Sequence, residues 1–373
     1  MSASLQIQKG SILIYRVFDI AEEIQLSKLE GLLAQQPQQS PSRMKLTRPL
    51  RQALVIRNPP LRITLGEAEF KLGPHAIKAD LSVTVWDYGV LSILFQIPIV
   101  PGTPWNQLLE LSHFITGDAP GVEELENLAR QKSRDISKLI EPALERPHEW
   151  DVYEDYTVFF FEKISGINSP NELAEKVDIP ALILGEPFEA LSQKSREPIL
   201  ESTFQYSQTD LAVIDWNAAV VVEPSGLRDV PDVLEFALTH QMEVRYYDDL
   251  LDKRLGELYD AIEQKRKNIF GSRFLKLSHE ANTRYIEFSE FIERVDNSLK
   301  VVGDFYLATI FRAVTKRFRL YDWESSIKHK MKLLAQVSEL LQGEVNVQRS
   351  FLLEIIVVLL IAFELISAIV KTM

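Results

Sequence analysis

Six histidines, His75, His113, His148, His240, His279 and His329, lie along the chain with no HxxxH or HxH spacing. A metal centre would therefore have to be assembled from distant segments. There is no cysteine, which excludes disulfides, thiolate ligands and thiol nucleophiles together and suits a reducing compartment. Neither GxxxxGK nor GxGxxG occurs, so the backbone cradle that usually holds a nucleotide's phosphates is missing. The densest polar cluster is His148, Glu149, Asp151, Glu154 and Asp155. Its residue types fit an acid–base pair or a divalent cation, and equally a solvated loop ahead of a strand. No cofactor and no metal are expected, and no catalytic residue is assigned.

Two segments echo each other. DLSVTVWDYGVLSIL from Asp80 and DLAVIDWNAAVVVE from Asp210 each place an acidic and an aromatic residue between two apolar runs: Asp87 with Tyr88, and Asp215 with Trp216. Both read as β-hairpins with the pair at the turn. Turn chemistry explains the pairs, and a paired functional site is the alternative.

These residues need a frame, and the pattern predicts an α+β protein. At 373 residues the chain exceeds the size at which one core usually stops growing, so two parts are expected. A strand and helix occupy 1–36, with the strand at 11–20 and the helix from Glu22 to Leu33. The Gln/Ser/Pro-rich run at 37–43 reads as a linker. A mixed α/β body with antiparallel hairpins spans 44–225. Beyond Pro224, Ser225 and Gly226 the strand signal stops, and 226–349 reads as long helices. Phe288, Ile292, Val295, Leu299, Val302 and Tyr306 alternate spacings of four and three, a heptad seam. The seam serves a hairpin or bundle within one chain, or a coiled coil between chains.

Net charge is -12, with 21 Lys and Arg against 34 Asp and Glu in residues 1–240 and 19 against 17 in 241–349. The acidic part disfavours nucleic acid. The near-neutral part permits an anionic neighbour, and seven cations between Arg312 and Lys332 suit a cytoplasmic leaflet.

The segment FLLEIIVVLLIAFELISAIV, residues 351–370, gives ~30 Å of helix, the thickness of a hydrocarbon core. Its 15 large apolar side chains contribute roughly -0.3 to -0.6 kcal/mol each on an insertion scale, against about +2.5 to +3.5 for an acid at the centre. A transmembrane helix over 350–371 is expected. Glu354 and Glu364 share a flank of it, which should face a second copy or another membrane protein. The alternative is a buried core helix with both acids on a wet stripe.

The Leu-Glu opening, apolar run and closing Glu of LLEIIVVLLIAFEL resemble the C-terminal pattern of the "required for meiotic nuclear division" membrane proteins, a bacterial, fungal and mitochondrial family. Asp215 with Trp216, and Asp87 with Tyr88, are similar to that family's hairpin turns. The resemblance implies an α+β body, a helical stalk, a membrane helix and a scaffolding role, with no catalytic residues to transfer. The chain has no Arg-rich transit segment, which points to a bacterial-type member. A membrane-tethered scaffold or adaptor is thus expected, single-pass in the bacterial inner membrane with its body in the cytoplasm, bound to lipid and self-associating. An enzyme with an unrecognised site in the α/β body is the second expectation; a deep pocket holding carboxylates or histidines with perturbed pKa would favour it.

Overall fold

The computed structural model describes residues 5–34, 42–43, 58–116, 120–187, 191–264, 283, 286, 289–290, 293 and 305–372. It divides into two units, one of residues 1–246 and 293–321 and one of 247–292 and 322–373.

The first unit is built on a mixed sheet. Its strands are β1 (Gln6–Asp19), β3 (Ser42–Arg43), β4 (Leu61–Leu72), β5 (His75–Val85), β6 (Val90–Pro98), β7 (Thr103–Pro104), β9 (Glu154–Ser165), β10 (Thr203–Phe204), β11 (Leu211–Ile214) and β12 (Ala218–Val222). The order is β10-β11-β12-β9-β1-β6-β5-β4-β3, with β7 beside the start of β1. Every pairing is antiparallel except β12 with β9. A separate ladder joins β2 (Ala21–Ile24) to β8 (Leu144–Pro147).

Strand β1 lies between β6 and β9 and is buried on both faces from Ser11 to Asp19. That position explains its near-continuous apolar sequence, the mark of a strand covered on both sides. It is therefore central to the sheet and not a separate N-terminal piece. Ser42 and Arg43, read as linker, are an edge strand on β4. The expected helix from Glu22 splits into β2 and α1 (Leu26–Leu33), because the 21–24 backbone is taken by β8.

One face of the sheet carries α1, α2 (Trp105–Ile115), α3 (Glu123–Ile140), α4 (Asn171–Lys176), α5 (Ile179–Leu184) and α6 (Gln193–Glu201). Ile12, Ile14, Ile93, Phe95, Phe159 and Phe161 form its core with Leu29, Leu108, Ile136 and Leu182 from the helices. On the other face lie the first part of α7 (Asp229–Gln264) and α8 (Phe305–Arg317). There Phe236 lies 5.4 Å from both the Trp86 and the Phe311 rings, and Tyr156 packs edge-on to Phe318. The result is a three-layer α/β/α arrangement, which buries both sheet faces. Residues 226–246 thus belong with the sheet, so this unit extends beyond the expected boundary at 225.

The second unit pairs the later part of α7 with α9 (Leu320–Thr372). Lys330 Nζ reaches Asp248 and Asp252, each at 2.7 Å. Leu251 and Leu255 of α7 and Ile327, Met331 and Leu334 of α9 are buried in this unit. Of the heptad seam, Phe288, Ile292, Val295, Leu299 and Val302 lie outside the described residues. Tyr306 is buried in the first unit, where its hydroxyl donates to Asp210 Oδ2 at 3.2 Å.

Helix α9 runs 53 residues. Phe351, Leu353 and every large apolar residue from Ile355 to Phe363 are exposed, as are Glu354 and Glu364. Among the described residues no helix is long and apolar enough to cross a membrane; the side chains of Leu352, Leu365 and 368–370 lie outside them. The fold therefore supports the C-terminal helix but not its expected passage through a bilayer.

Candidate functional site

The register places both hairpin turns at one end of the sheet. Asp19 pairs with Val90 just after the β5–β6 turn, and Ala218, just after the β11–β12 turn, pairs with Thr157 of β9. Four strands, β6, β1, β9 and β12, lie between and include the two turns' flanking strands. The turn centres are four inter-strand spacings apart, roughly 19 Å across the sheet, so Asp87 with Tyr88 and Asp215 with Trp216 form no single site.

Each turn has its own structural chemistry. Asp87 accepts from Asn58 Nδ2 at 2.9 Å, and the buried Tyr88 hydroxyl shares a 2.7 Å hydrogen bond with Thr239 Oγ1. Gly89 follows at φ +92°, and a Cβ there would fall 1.6 Å from the Ala21 carbonyl oxygen, so only glycine fits. In the second turn the Asp215 carbonyl accepts from the Tyr156 hydroxyl at 2.8 Å, and its carboxylate lies 3.6 Å from Arg317. Trp216 is exposed.

A cavity of about 940 Å³ opens at this same end, between α3 and the segment after β8. Asp19 closes β1, and the β2–β8 ladder brings residue 148 to it: Ala21 pairs with Pro147, and the His148 amide donates to the Ile20 carbonyl at 3.0 Å. His148 Nε2 then lies 2.7 Å from Asp19 Oδ1, while Nδ1 faces the Tyr246 hydroxyl at 3.3 Å. The Tyr246 ring also stacks on the imidazole at 4.3 Å. Trp150 meets Tyr246 edge-on.

Burial sets the protonation of this pair. It pushes the His148 imidazole down to about 4, against a hydrogen bond with the Arg146 backbone. It raises the Asp19 carboxyl well above the usual carboxylate range, against hydrogen bonds from the Glu243 side chain and the Ala21 amide. Burial thus favours the uncharged form of each group.

Helix α7 meets this pair from outside the cavity lining. Asp232, Glu235, Thr239, Glu243 and Tyr246 recur at three- and four-residue spacing and turn towards the sheet. Arg62 Nη2 binds Asp232 at 3.1 Å and Glu235 at 2.7 Å; Thr239 meets Tyr88, Glu243 meets Asp19, and Tyr246 meets His148. Burial raises the Asp232 carboxyl to about 6, with Arg62 opposing.

Of the acidic cluster read from the sequence, His148, Glu149 and Asp151 line the cavity. Glu154 is buried against Arg245, and Asp155 lies 3.9 Å from Arg16. Among the described residues no group of His, Asp and Glu could hold a metal ion. The cationic run expected to face a leaflet is divided: Arg317 bonds Ser202 at 2.7 Å and Lys330 is paired with Asp248 and Asp252. Sequence reasoning missed Asp19, Glu243 and Tyr246, which carry no local motif.

Residues 9–229 match the family described as "Uncharacterized protein MJ0711, N-terminal domain". The chain belongs to this family. Over 219 residues it is 23% identical to the "Uncharacterized protein MJ0711" of Methanocaldococcus jannaschii, covering 58% of this chain and 66% of that protein. The chain thus matches just under two thirds of that relative's length. No solved structure matches, and nothing in these comparisons links the chain to the meiotic nuclear division proteins. The family's matched span includes Asp19, α3 and His148; Glu243 and Tyr246 lie beyond it.

Proposed function

We propose that the protein is a membrane-tethered scaffold or adaptor whose α/β body is held at a bilayer by residues 351–370. The observation that carries this reading is the exposure of a continuous apolar helical surface from Ile355 to Phe363, with side chains such as Leu359 and Phe363 at 63% and 72% exposed. Soluble chains rarely leave so much contiguous apolar surface in water; a patch of that kind marks a membrane or partner contact. The sequence resemblance described above supports the same role. In this reading Glu354 and Glu364 lie where the helix meets a second copy or another membrane protein, since an acid inside a bilayer is tolerated against a partner.

Fractionation tests the tether. The full chain should stay with membranes through an alkaline carbonate wash, and a chain ending at Arg349 should leave them. Retention of the shortened chain would place the anchor elsewhere. A Glu364→Cys variant should cross-link in native membranes if the helix associates with itself.

An enzyme with its site in the α/β body is the second reading, favoured by the cavity that joins Asp19 and His148. Its test is turnover that disappears in His148→Asn while binding of a substrate persists.

A further inference from the structure

The face that α3 turns to the cavity carries Arg130, Arg134 and Lys138, each one turn from the next. Arg130 is engaged: its Nη1 donates to the Asp151 carbonyl at 2.7 Å, and its guanidinium lies 4.9 Å over the Tyr153 ring. Arg134 and Lys138 are exposed and have no hydrogen bond or ion pair among the described residues. Two unpaired cations one turn apart, at a cavity lined also by the buried Asp19 and the half-buried His148, form an arrangement that no structural contact of the body uses.

We propose that this cavity binds a small organic molecule carrying a phosphate or carboxylate group, its anion held by Arg134 and Lys138 and its body lying against Trp150 towards His148. The volume of about 940 Å³ falls at the upper end of small-molecule sites. Arginine and lysine together suit a compact oxyanion, the one by its planar fork and the other as a point charge. Glu141 and Glu149 share the lining, and the chain carries a net charge of -12. A long polyanion such as nucleic acid would meet those carboxylates, whereas a single phosphate or carboxylate group on the α3 side avoids them. Phe18 and the half-buried Trp150 supply the apolar contact. This inference adds a ligand class to the body and stands whether or not residues 351–370 enter a bilayer.

The test uses the full chain in uncharged detergent micelles, titrated with phenyl phosphate and with benzoate and read by NMR on the His148 imidazole, assigned with a His148→Asn variant. At least one probe should give a saturable shift. Arg134→Ala combined with Lys138→Ala should weaken it by about tenfold or more, with the circular dichroism spectrum unchanged because both residues are exposed. Glu149→Gln should tighten it. Vesicles containing phosphatidic acid distinguish the source: competition with phenyl phosphate that phosphatidylcholine vesicles do not match identifies a lipid phosphate, and its absence identifies a soluble ester or acid. No saturable shift with either probe, or saturation unaltered in the double variant, would overturn the proposal. Binding without turnover keeps this site and removes the enzyme reading.

Discussion

Asp19 and His148 stand 129 residues apart in the chain and 2.7 Å apart in the fold. Their meeting is a product of backbone pairing: β1 ends at Asp19, β2 turns away from the sheet, and β8 runs antiparallel to β2 so that His148 arrives at the Ile20 carbonyl. The two side chains are then enclosed by Glu243 and Tyr246 of α7.

Titration of the imidazole reports this enclosure. His148 should remain neutral down to about pH 4, well below an exposed histidine near 6.5. Tyr246→Ala opens one wall, so the midpoint should move up towards the ordinary value. A wild-type midpoint near 6.5 would show the imidazole to be solvated and the pair to be a surface contact.

His240 makes a second pH-dependent contribution. Burial depresses it to about 3, so the unfolded chain binds a proton on this residue between about 3 and 6.5 that the folded chain does not. Its contribution to stability is complete above 6.5 and is lost as pH falls through that window, on the order of a few kcal/mol. Buried acids such as Asp232, raised to about 6, act with the opposite sign. The comparison therefore lies between wild type and His240→Leu: the urea midpoint of the variant should fall less steeply from pH 6.5 to 4. Parallel pH profiles would refute the assignment.

Arg62 joins β4 to α7 through two carboxylates, Asp232 and the fully buried Glu235. Arg62→Met leaves both without their cation and should destabilise the first unit by roughly 3–5 kcal/mol. Adding Asp232→Asn and Glu235→Gln should recover part of that loss, because the unpaired charges are then gone. A single variant as stable as wild type would show the carboxylates to be neutral already.

The sequence made the sheet legible where burial leaves a regular trace. The doubly covered β1 reads as a near-continuous apolar run, and β5–β6 and β11–β12 read as hairpins because an acidic and an aromatic residue punctuate each pair. The 21–24 segment read as helix because its pairing with β8 is a contact across more than a hundred residues, invisible to local propensity. The candidate site failed to show for the same reason. Asp19 looks like the polar end of a strand, and Glu243 and Tyr246 look like ordinary helix residues, until the ladder and α7 bring them to His148. The unpaired cations of α3 are a helix face in sequence and a cavity wall only in the fold.

The most direct measurement of the tether places a single spin label in the full chain, which contains no native cysteine to compete. Leu359→Cys lies within the exposed apolar part of α9, and Ala335→Cys is an exposed position nearer its start. In reconstituted vesicles, a nitroxide at 359 should collide more often with oxygen than with a water-soluble nickel chelate, and one at 335 should show the reverse. Equal access of the nickel chelate to both labels would mean that residues 351–370 lie outside the bilayer, and the membrane-tethered reading would be wrong.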